Sequence, residues 1–367
     1  MQVMPKTFIQ TKTEPHLSEI RIGAKLEEVA AVCREKKYGK VALVCSKNTA
    51  LHAKRIAAAL CLEKIPFSQI EISDGEKNKT ALNALSLCEK LQSAGMDRHS
   101  AVVAVGGGVL GDVAGFAASV HFRGIPVVQV PTTLLSMVDS SVGGKTGVNL
   151  SQGKNTLGTF HPADAVVIDF STLDSLPAHE YRQGLAEIVK AGLIADSNLF
   201  DVCEKEHEKI LARDPAMLGQ IVNAAIKVKK DIVEKDPHES ISNQSENSRK
   251  LLNLGHSAGH GIESLSGYSI PHGDAVAIGM VAACKASESA CGFKPEDTQR
   301  VVRVLSAFGL PVSMQMKPED LAERMKKDKK NVSGSITLVL LRSIGKATIV
   351  PDVPQETVVV ALRKITA

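Results

Sequence analysis

The stretch Ala101-Val-Val-Ala-Val-Gly-Gly-Gly-Val-Leu-Gly-Asp112 decides the fold. Its first five residues are an unbroken apolar run, as expected for a strand covered on both faces. The glycines that follow make a tight turn, and Val113 to Val120 carries on as a helix. Strand, glycine-rich turn and helix together present backbone N–H groups to a phosphate at the helix N-terminus. The turn Gly106–Gly111 is therefore a candidate nucleotide-binding element. The spacing meets the G-x-G-x-x-G fingerprint only loosely, and a turn that simply needs glycines would look the same.

The same alternation continues on either side. Lys40-Val-Ala-Leu-Val44, Phe67-Ser-Gln-Ile-Glu-Ile72, Val127-Val-Gln-Val130 and Val166-Val-Ile-Asp169 read as strands. Asn48 to Leu62 and Thr80 to Ala94 have helical spacing. Strands alternating with helices predict a Rossmann-like, doubly wound parallel sheet in an α/β domain over residues 1–175. From Ala178 to about Phe308 the period is mostly 3.6, so residues 176–367 read as a mainly helical domain. Its helices are expected over Glu180–Ala195, Leu218–Val233, Gly255–Leu265, Asp274–Cys291 and Glu296–Phe308, punctuated by Pro215, Pro237, Pro271 and Pro295. Pro237 to Asn247 is polar and reads as a mobile loop. Ile336–Leu341 and Ala347–Val350 read as a late hairpin.

Composition narrows the function classes. A net charge of +4 from scattered residues, 3% aromatic content and no Trp argue against nucleic-acid binding and against a base-stacking platform. The seven cysteines are irregularly spaced without a C-x-x-C pair, so they read as reduced thiols of a cytoplasmic protein. The N-terminus lacks a basic-then-apolar signal pattern, and no apolar run is long enough for a membrane span.

Three motifs carry the chemistry. Glu187, His256 and His272 lie in separate segments downstream of the glycine-rich turn, and two histidines with one carboxylate leave a metal position open for substrate. His256 and His260, at i and i+4 on a helix, also suggest a metal pair. A lone helix histidine is most often a packed or solvated residue, but several with Glu187 are a stronger signal. Asp74-Gly-Glu-Lys-Asn-Lys79 and Pro131-Thr-Thr133 follow strands, at the edge where open α/β sheets bind ligands. Gly143-Gly-Lys-Thr146 has the ending of a P-loop without its upstream glycine, which excludes a nucleoside-triphosphatase. Lys145 and Lys154 remain as cations among glycines, suited to a phosphate or carboxylate.

These segments resemble the 3-dehydroquinate synthase family of the shikimate pathway, a branch of the sugar-phosphate cyclases. The matching residues are Gly106–Asp112, Arg123-Gly-Ile125, Pro131-Thr-Thr-Leu-Leu135, Val138–Asn149, Gly153-Lys-Asn155, Gly184-Leu-Ala-Glu-Ile-Val-Lys190, Leu252-Asn-Leu-Gly-His-Ser-Ala-Gly-His260, His272-Gly-Asp-Ala-Val276 and Asp328-Lys-Lys330, in order between about residues 36 and 350. The resemblance implies NAD held by Asn48, Asp74, Glu76, Lys79, Gly107, Gly108, Asp112, Thr132, Thr133, Asp139 and Lys154. It implies zinc, with cobalt as the alternative, on Glu187, His256 and His272, and leaves His260 for proton transfer. Substrate contacts implied are Lys145, Asn155, Lys190, Lys229, Arg249, Asn253, His260 and one of Lys329 and Lys330. A homodimer is implied, with the site in the cleft between the domains and Arg123 reaching a phosphate in the neighbouring subunit's site.

The implied enzyme is a metal- and NAD-dependent carbon–oxygen lyase of aromatic amino acid biosynthesis. It converts 3-deoxy-D-arabino-heptulosonate 7-phosphate to 3-dehydroquinate and phosphate. The steps are transient oxidation by NAD, β-elimination of phosphate, re-reduction, ring opening and intramolecular aldol closure. Four departures from the family pattern stand out. Ser46 replaces a common acidic residue at the first strand end. The segment before Arg249 is longer and more polar than usual. Ser257 replaces Thr, and Gly261 replaces a common Ala. Other readings are a 2-deoxy-scyllo-inosose or 2-epi-5-epi-valiolone synthase, a polyol dehydrogenase of the glycerol dehydrogenase type, and a non-catalytic binding protein. Lys229, Arg249, Asn253 and His260 favour a carboxylate-bearing substrate over the sister cyclases. Lys145, Lys154 and Lys190 are not needed by a simple dehydrogenase.

Overall fold

A computed structural model of the chain describes residues 7–13, 16–151, 153–240, 242–326 and 336–366. The chain divides into two units, Met1–Pro177 and Ala178–Ala367.

In the first unit the strands are β1 (Thr7–Thr13), β2 (His16–Ile22), β3 (Lys40–Cys45), β4 (Phe67–Glu71), β5 (Ser100–Gly106), β6 (Val127–Pro131), β7 (Lys145–Leu150), β8 (Gly153–Phe160) and β9 (Ala165–Ile168). The helices are α1 (Glu28–Glu35), α2 (Ala50–Leu62), α3 (Ala81–Ser93) and α4 (Gly108–Val120). Seven strands form one sheet in the order β1-β2-β9-β6-β5-β3-β4. All neighbours run parallel except the β1–β2 pair. The apolar run Ala101–Val105 lies in β5, which is buried at every residue between β3 and β6. Alternate residues of the central strands (Leu43, Val103, Val128, Val167) pack with Val29, Val32, Ile56 and Leu60 of α1 and α2 in one apolar cluster. That burial is the main force holding the unit together.

The chain runs from β3 to β4 on one side, then returns to place β5 on the other side of β3. The strand order therefore reverses at the C-terminal ends of β3 and β5, the point where open α/β sheets bind ligands. The Thr49 hydroxyl, just after β3, donates to the carbonyl of Val105 at 2.8 Å and ties the two strand ends together.

Residues 136–160 form elements that were not among those expected from sequence. Ser136–Ser140 is a π-helical turn, and β7 pairs with β8 as an antiparallel hairpin. Thr146 sits opposite Thr159, and Gly147 opposite Gly158. A side chain on Gly158 would come within 2.3 Å of the Thr146 carbonyl oxygen. Paired glycines and short polar residues carry little strand propensity, so only the cross-strand pairing reveals the hairpin. The β1–β2 hairpin and α1 also lie outside the elements expected from sequence.

The second unit contains α5 (Ala178–Ala195), α6 (Ser197–Lys205), α7 (His207–Leu211), α8 (Pro215–Lys235), α9 (His256–Leu265), α10 (His272–Ala290), α11 (Pro295–Ala307) and α12 (Pro318–Lys326). The hairpin β10 (Ile336–Ser343) and β11 (Lys346–Val353) follows, then α13 (Gln355–Arg363). Pro215 and Pro295 start their helices at the position where a missing N–H costs nothing. Helix α5 is buried at every residue from Gln183 to Ile194, so it runs through the middle of the unit.

Helices α9 and α10 approach backbone to backbone. Gly255 precedes α9 at φ +78°, a conformation that favours glycine. A Cβ on Gly279 of α10 would lie 2.0 Å from the Gly255 carbonyl oxygen, and one on Gly259 would meet Ala275 and Val276 at 3.3 Å. The described residues of the polar stretch read as a loop form neither helix nor strand, and several of them bond to Asp236. Its carboxylate accepts from the N–H groups of Ser240 (2.9 Å) and Arg249 (3.0 Å) and from the Asn243 amide (3.2 Å). A Gly279→Ala substitution is expected to push α9 from α10 and destabilise the protein by about 1–3 kcal/mol. Thermal melting against wild type checks this, and an unchanged midpoint would contradict the close contact.

Candidate active site

Helix α5 presents Glu187 and Lys190 one turn apart, so both side chains share a face. Both are buried, and Lys190 Nζ forms an ion pair with Glu187 Oε2. Glu187 Oε1 lies 3.7 Å from His256 Nε2 and 3.6 Å from His272 Nε2. Among the described residues Glu187, His256 and His272 form a group whose ligand atoms lie within 4.8 Å of one another. Neither Glu187 oxygen has a donor in hydrogen-bond geometry, although the side chain is only 2% exposed. A buried carboxylate whose neighbours are charges and not aligned donors is a site that a cation completes.

Each histidine is oriented through its other ring nitrogen. His256 Nδ1 lies 3.1 Å from the Leu254 carbonyl. A carbonyl can only accept, so Nδ1 carries the proton and the Nε2 lone pair faces Glu187. His272 Nδ1 lies 3.4 Å from Glu263 Oε2, with Nε2 directed at Glu187. Two imidazoles and one carboxylate make a three-ligand set that leaves a coordination position open. The i, i+4 pairing of His256 with His260 does not describe this cluster. His260 is exposed, with its ring centroid 5.4 Å from that of His256 and 6.3 Å from that of His272. The contact between α9 and α10 brings in His272 as the second imidazole.

Charge explains the ionisation of the pair. Burial pushes the Glu187 carboxyl up, but the Lys190 ammonium and His272 outweigh it and hold the group at about 2. Burial pushes His272 down, but Glu187 and Glu263 outweigh it and raise the imidazole to about 9.

Sequence reasoning missed a clamp that sets this spacing. The Gln183 amide donates to Asp274 Oδ1 at 2.8 Å, and the Asp274 N–H donates back to Gln183 Oε1 at 3.2 Å. Between them Gly273 lets α10 touch α5, where a Cβ would come within 2.6 Å of Gln183 Cα. Gln183 is one turn before Glu187, and Asp274 two residues after His272. Their positions in or beside the recognised motifs were the available signal. Glu263 was also missed. It lies seven residues after His256, which is two helical turns and the same face.

The other candidates of this unit sit around α8 and the turn Arg249–Asn253. Lys229 and Arg249 are buried. Arg249 Nη1 donates to the Pro237 carbonyl at 2.7 Å, and the Asn253 amide donates to Glu239 Oε1 at 3.0 Å. The polar stretch thus positions both. Lys329 and Lys330 lie outside the described residues.

In the first unit the candidates gather at the C-terminal edge of the sheet. Lys79 is 5% exposed, and its Nζ donates to Asp112 Oδ2 and to Asn155 Oδ1, each at 2.5 Å. Asn155 adopts φ +51°, and its N–H donates to Asn149 Oδ1 at 2.9 Å. Asn149 in turn donates to Glu76 Oε1 at 2.7 Å, and Lys154 Nζ lies 3.7 Å from the same oxygen. One network therefore links Glu76, Lys79, Asp112, Lys154 and Asn155. Ser46, at the departure from the family pattern, donates to Asp74 Oδ2 at 3.4 Å. Around the glycine turn, a Cβ on Gly107 would lie 3.1 Å from Thr133 Cγ2, and one on Gly108 would lie 3.0 Å from Ser140 Oγ. That packing brings Thr132, Thr133 and the turn holding Asp139 beside the α4 N-terminus. The Thr132 N–H donates to the Gly106 carbonyl at 3.0 Å. Asn48, Lys145 and Arg123 are exposed on the same unit, Arg123 in a left-handed turn at φ +67° after α4.

Comparison with known proteins gives a consistent result. Residues 69–183 match the family model of the 3-dehydroquinate synthase N-terminal region, and residues 184–331 match that of the C-terminal region. A 3-dehydroquinate synthase of Xylella fastidiosa is 47% identical over 293 residues, 77% of each chain. One of Desulforamulus reducens is 40% identical over 345 residues, 93% of this chain and 94% of that protein. Among solved structures, a 2-epi-5-epi-valiolone synthase from Streptomyces hygroscopicus with NAD+ and Zn2+ bound superimposes with a TM-score of 0.86 at 28% identity, covering 94% of this chain and 96% of that chain. A 2-deoxy-scyllo-inosose synthase complexed with carbaglucose-6-phosphate, NAD+ and Co2+ gives 0.84 at 25% identity, covering 98% and 99%.

The raised imidazole sets a pH dependence. The stability that protonated His272 contributes is fully present below about 6.5 and is lost as pH rises through about 9. Chelator-treated protein should therefore melt at lower temperature as pH rises through that window. A divalent metal must displace the same proton, so its apparent affinity should rise over the window. Competition with a chromogenic chelator measures this, and a flat affinity would contradict the arrangement.

Proposed function

The chain belongs to the 3-dehydroquinate synthase family, and we propose that it converts 3-deoxy-D-arabino-heptulosonate 7-phosphate into 3-dehydroquinate and phosphate. The observation that carries this reading is the buried Glu187 carboxylate, without an aligned donor, facing two oriented imidazoles and Lys190. Relatives of known structure bind NAD+ with Zn2+ or Co2+, and the residues here suit the same two groups. When bound, these supply a reversible hydride acceptor and a Lewis acid for the hydroxyl to be oxidised.

The chain's own residues then bind and orient an anionic substrate. Glu187, His256 and His272 hold the metal. The nucleotide is assigned to Asn48, Asp74, Glu76, Lys79, Asp112, Thr132, Thr133, Asp139, Lys154 and the N-terminus of α4 at Gly107 and Gly108. Lys145 and Asn155 take substrate oxygens in the first unit. In the second, buried Lys229 and Arg249 suit a substrate carboxylate, Arg249 through its planar fork. Lys190 supplies positive charge beside the metal ligands. His260, exposed one turn beyond His256, is the proton-transfer group, and Asn253 orients the hydroxyl it serves. Phosphate leaves by β-elimination and takes the adjacent carbon's proton with it; the hydride removed from the substrate in the oxidation would return to the same carbon, so the cycle has no net redox change. In a homodimer, Arg123 of one protomer reaches the phosphate in the partner's site. The activity is that of a carbon–oxygen lyase. Among the described residues no helix is long and apolar enough to cross a membrane.

The test is phosphate release from the heptulosonate phosphate by protein supplied with Zn2+ and catalytic NAD+. One phosphate per dehydroquinate with no NADH accumulation is expected. NADH accumulation with a polyol would indicate a dehydrogenase. Turnover of glucose 6-phosphate or sedoheptulose 7-phosphate instead would indicate a sister cyclase. Glu187→Gln is expected to lower kcat/KM by more than about 100-fold, because it removes a ligand and not merely an outer-shell partner.

A further inference from the structure

We propose that Glu263 is a positioning residue of the metal site, acting through His272; the inference rests on the metal reading of Glu187, His256 and His272. Glu263 lies on α9, two turns beyond His256 and on the same face of the helix, while His272 begins α10. The Glu263 side chain is 4% exposed, and its Oε2 lies 3.4 Å from His272 Nδ1. The opposite nitrogen of the same ring, Nε2, lies 3.6 Å from Glu187 Oε1. The imidazole is thus strung between two buried carboxylates, one on each side.

The backbone around Glu263 is fixed as well. Its carbonyl accepts from the Tyr268 N–H at 2.7 Å and from the Ser266 hydroxyl at 3.0 Å, closing the end of α9. The main chain that carries this carboxylate is therefore tied into the closing turn of α9. An acceptor at Nδ1 fixes the ring's rotation and places the proton on Nδ1, so the lone pair at Nε2 is free for a cation. The Glu263 carboxylate also adds a negative charge against the positive charge of Lys190 and of a divalent ion in a poorly solvated site. His256 has a neutral carbonyl in the equivalent place, so the two imidazoles are not equivalent. His272 is the one whose donor strength is set by a charged partner.

The test measures metal binding without turnover. Wild type, Glu263→Gln and Glu263→Ala are stripped with chelator, and Zn2+ affinity is read by competition with a chromogenic chelator. The visible absorption of the Co2+-loaded forms is recorded alongside. Glu263→Ala loses both the charge and the acceptor and is expected to bind about 10–100-fold more weakly. Glu263→Gln retains an oxygen that can accept from Nδ1, so it should recover part of the affinity and shift the Co2+ spectrum less. If Glu263→Ala fails to fold, Glu263→Gln decides, because it keeps the side chain's shape; weakened binding with a shifted spectrum supports the role. Wild-type affinity and spectrum in Glu263→Gln and Glu263→Ala, or in Glu263→Gln alone if only it folds, would overturn the role. A wild-type chain that binds no Zn2+ would instead overturn the metal reading itself.

Discussion

The contact on which the site depends is the backbone approach of α9 to α10, with a second approach of α10 to α5. Gly255, Gly259 and Gly279 allow the first, and Gly273 against Gln183 allows the second. Helices usually pack about 8–10 Å apart because side chains separate them. Glycine removes that spacer. The result is that candidate ligands from three different helices, Glu187, His256 and His272, come close enough for one ion to bridge them. None of these helices could present the full set alone. The Gln183–Asp274 hydrogen bonds then fix how far α10 slides along α5.

The second feature is how buried charge is arranged. Glu187 and Lys190 are both nearly inaccessible and lie one turn apart. Burying such a pair is expensive unless its charges are fully compensated. Here the compensation is directional: the ammonium and an imidazole sit on the carboxylate, while Glu263 sits on the far side of His272. A site of this kind holds electrostatic potential in place before any ligand arrives, which is how enzymes lower the reorganisation cost of charge movement.

The first unit solves a different problem, the presentation of backbone and short side chains at a sheet edge. The reversal of strand order between β3 and β5 opens the edge, and Thr49 bridges the two strand ends. Lys79 then draws Asp112 and Asn155 together from the helix after the glycine turn and from the β7–β8 hairpin. In the second unit Asp236 does comparable work, since its carboxylate gathers the polar stretch that carries Arg249. In each case one buried charged side chain replaces the apolar packing that a loop cannot supply.

Much of this was legible in the chain itself. Unbroken apolar runs such as Ala101–Val105 marked β5 and its neighbours, because a strand buried on both faces has no polar residues to hide its length. The 3.6-residue period marked α5, α8, α9, α10 and α11 for the analogous reason, and the long motifs carried the family and the candidate metal residues. Sequence could not show the β7–β8 hairpin, whose glycines have no strand signature, or the hydrogen bonds of Ser240, Asn243, Ser248 and Arg249 to Asp236, which follow no periodicity. It also left His256 with two candidate partners, since spacing along one helix says nothing about the next. The resemblance pointed to His272, but the reason it meets His256, and the placing of Glu263 behind it, belong to the tertiary structure, because they depend on how closely two glycine-lined helices can approach.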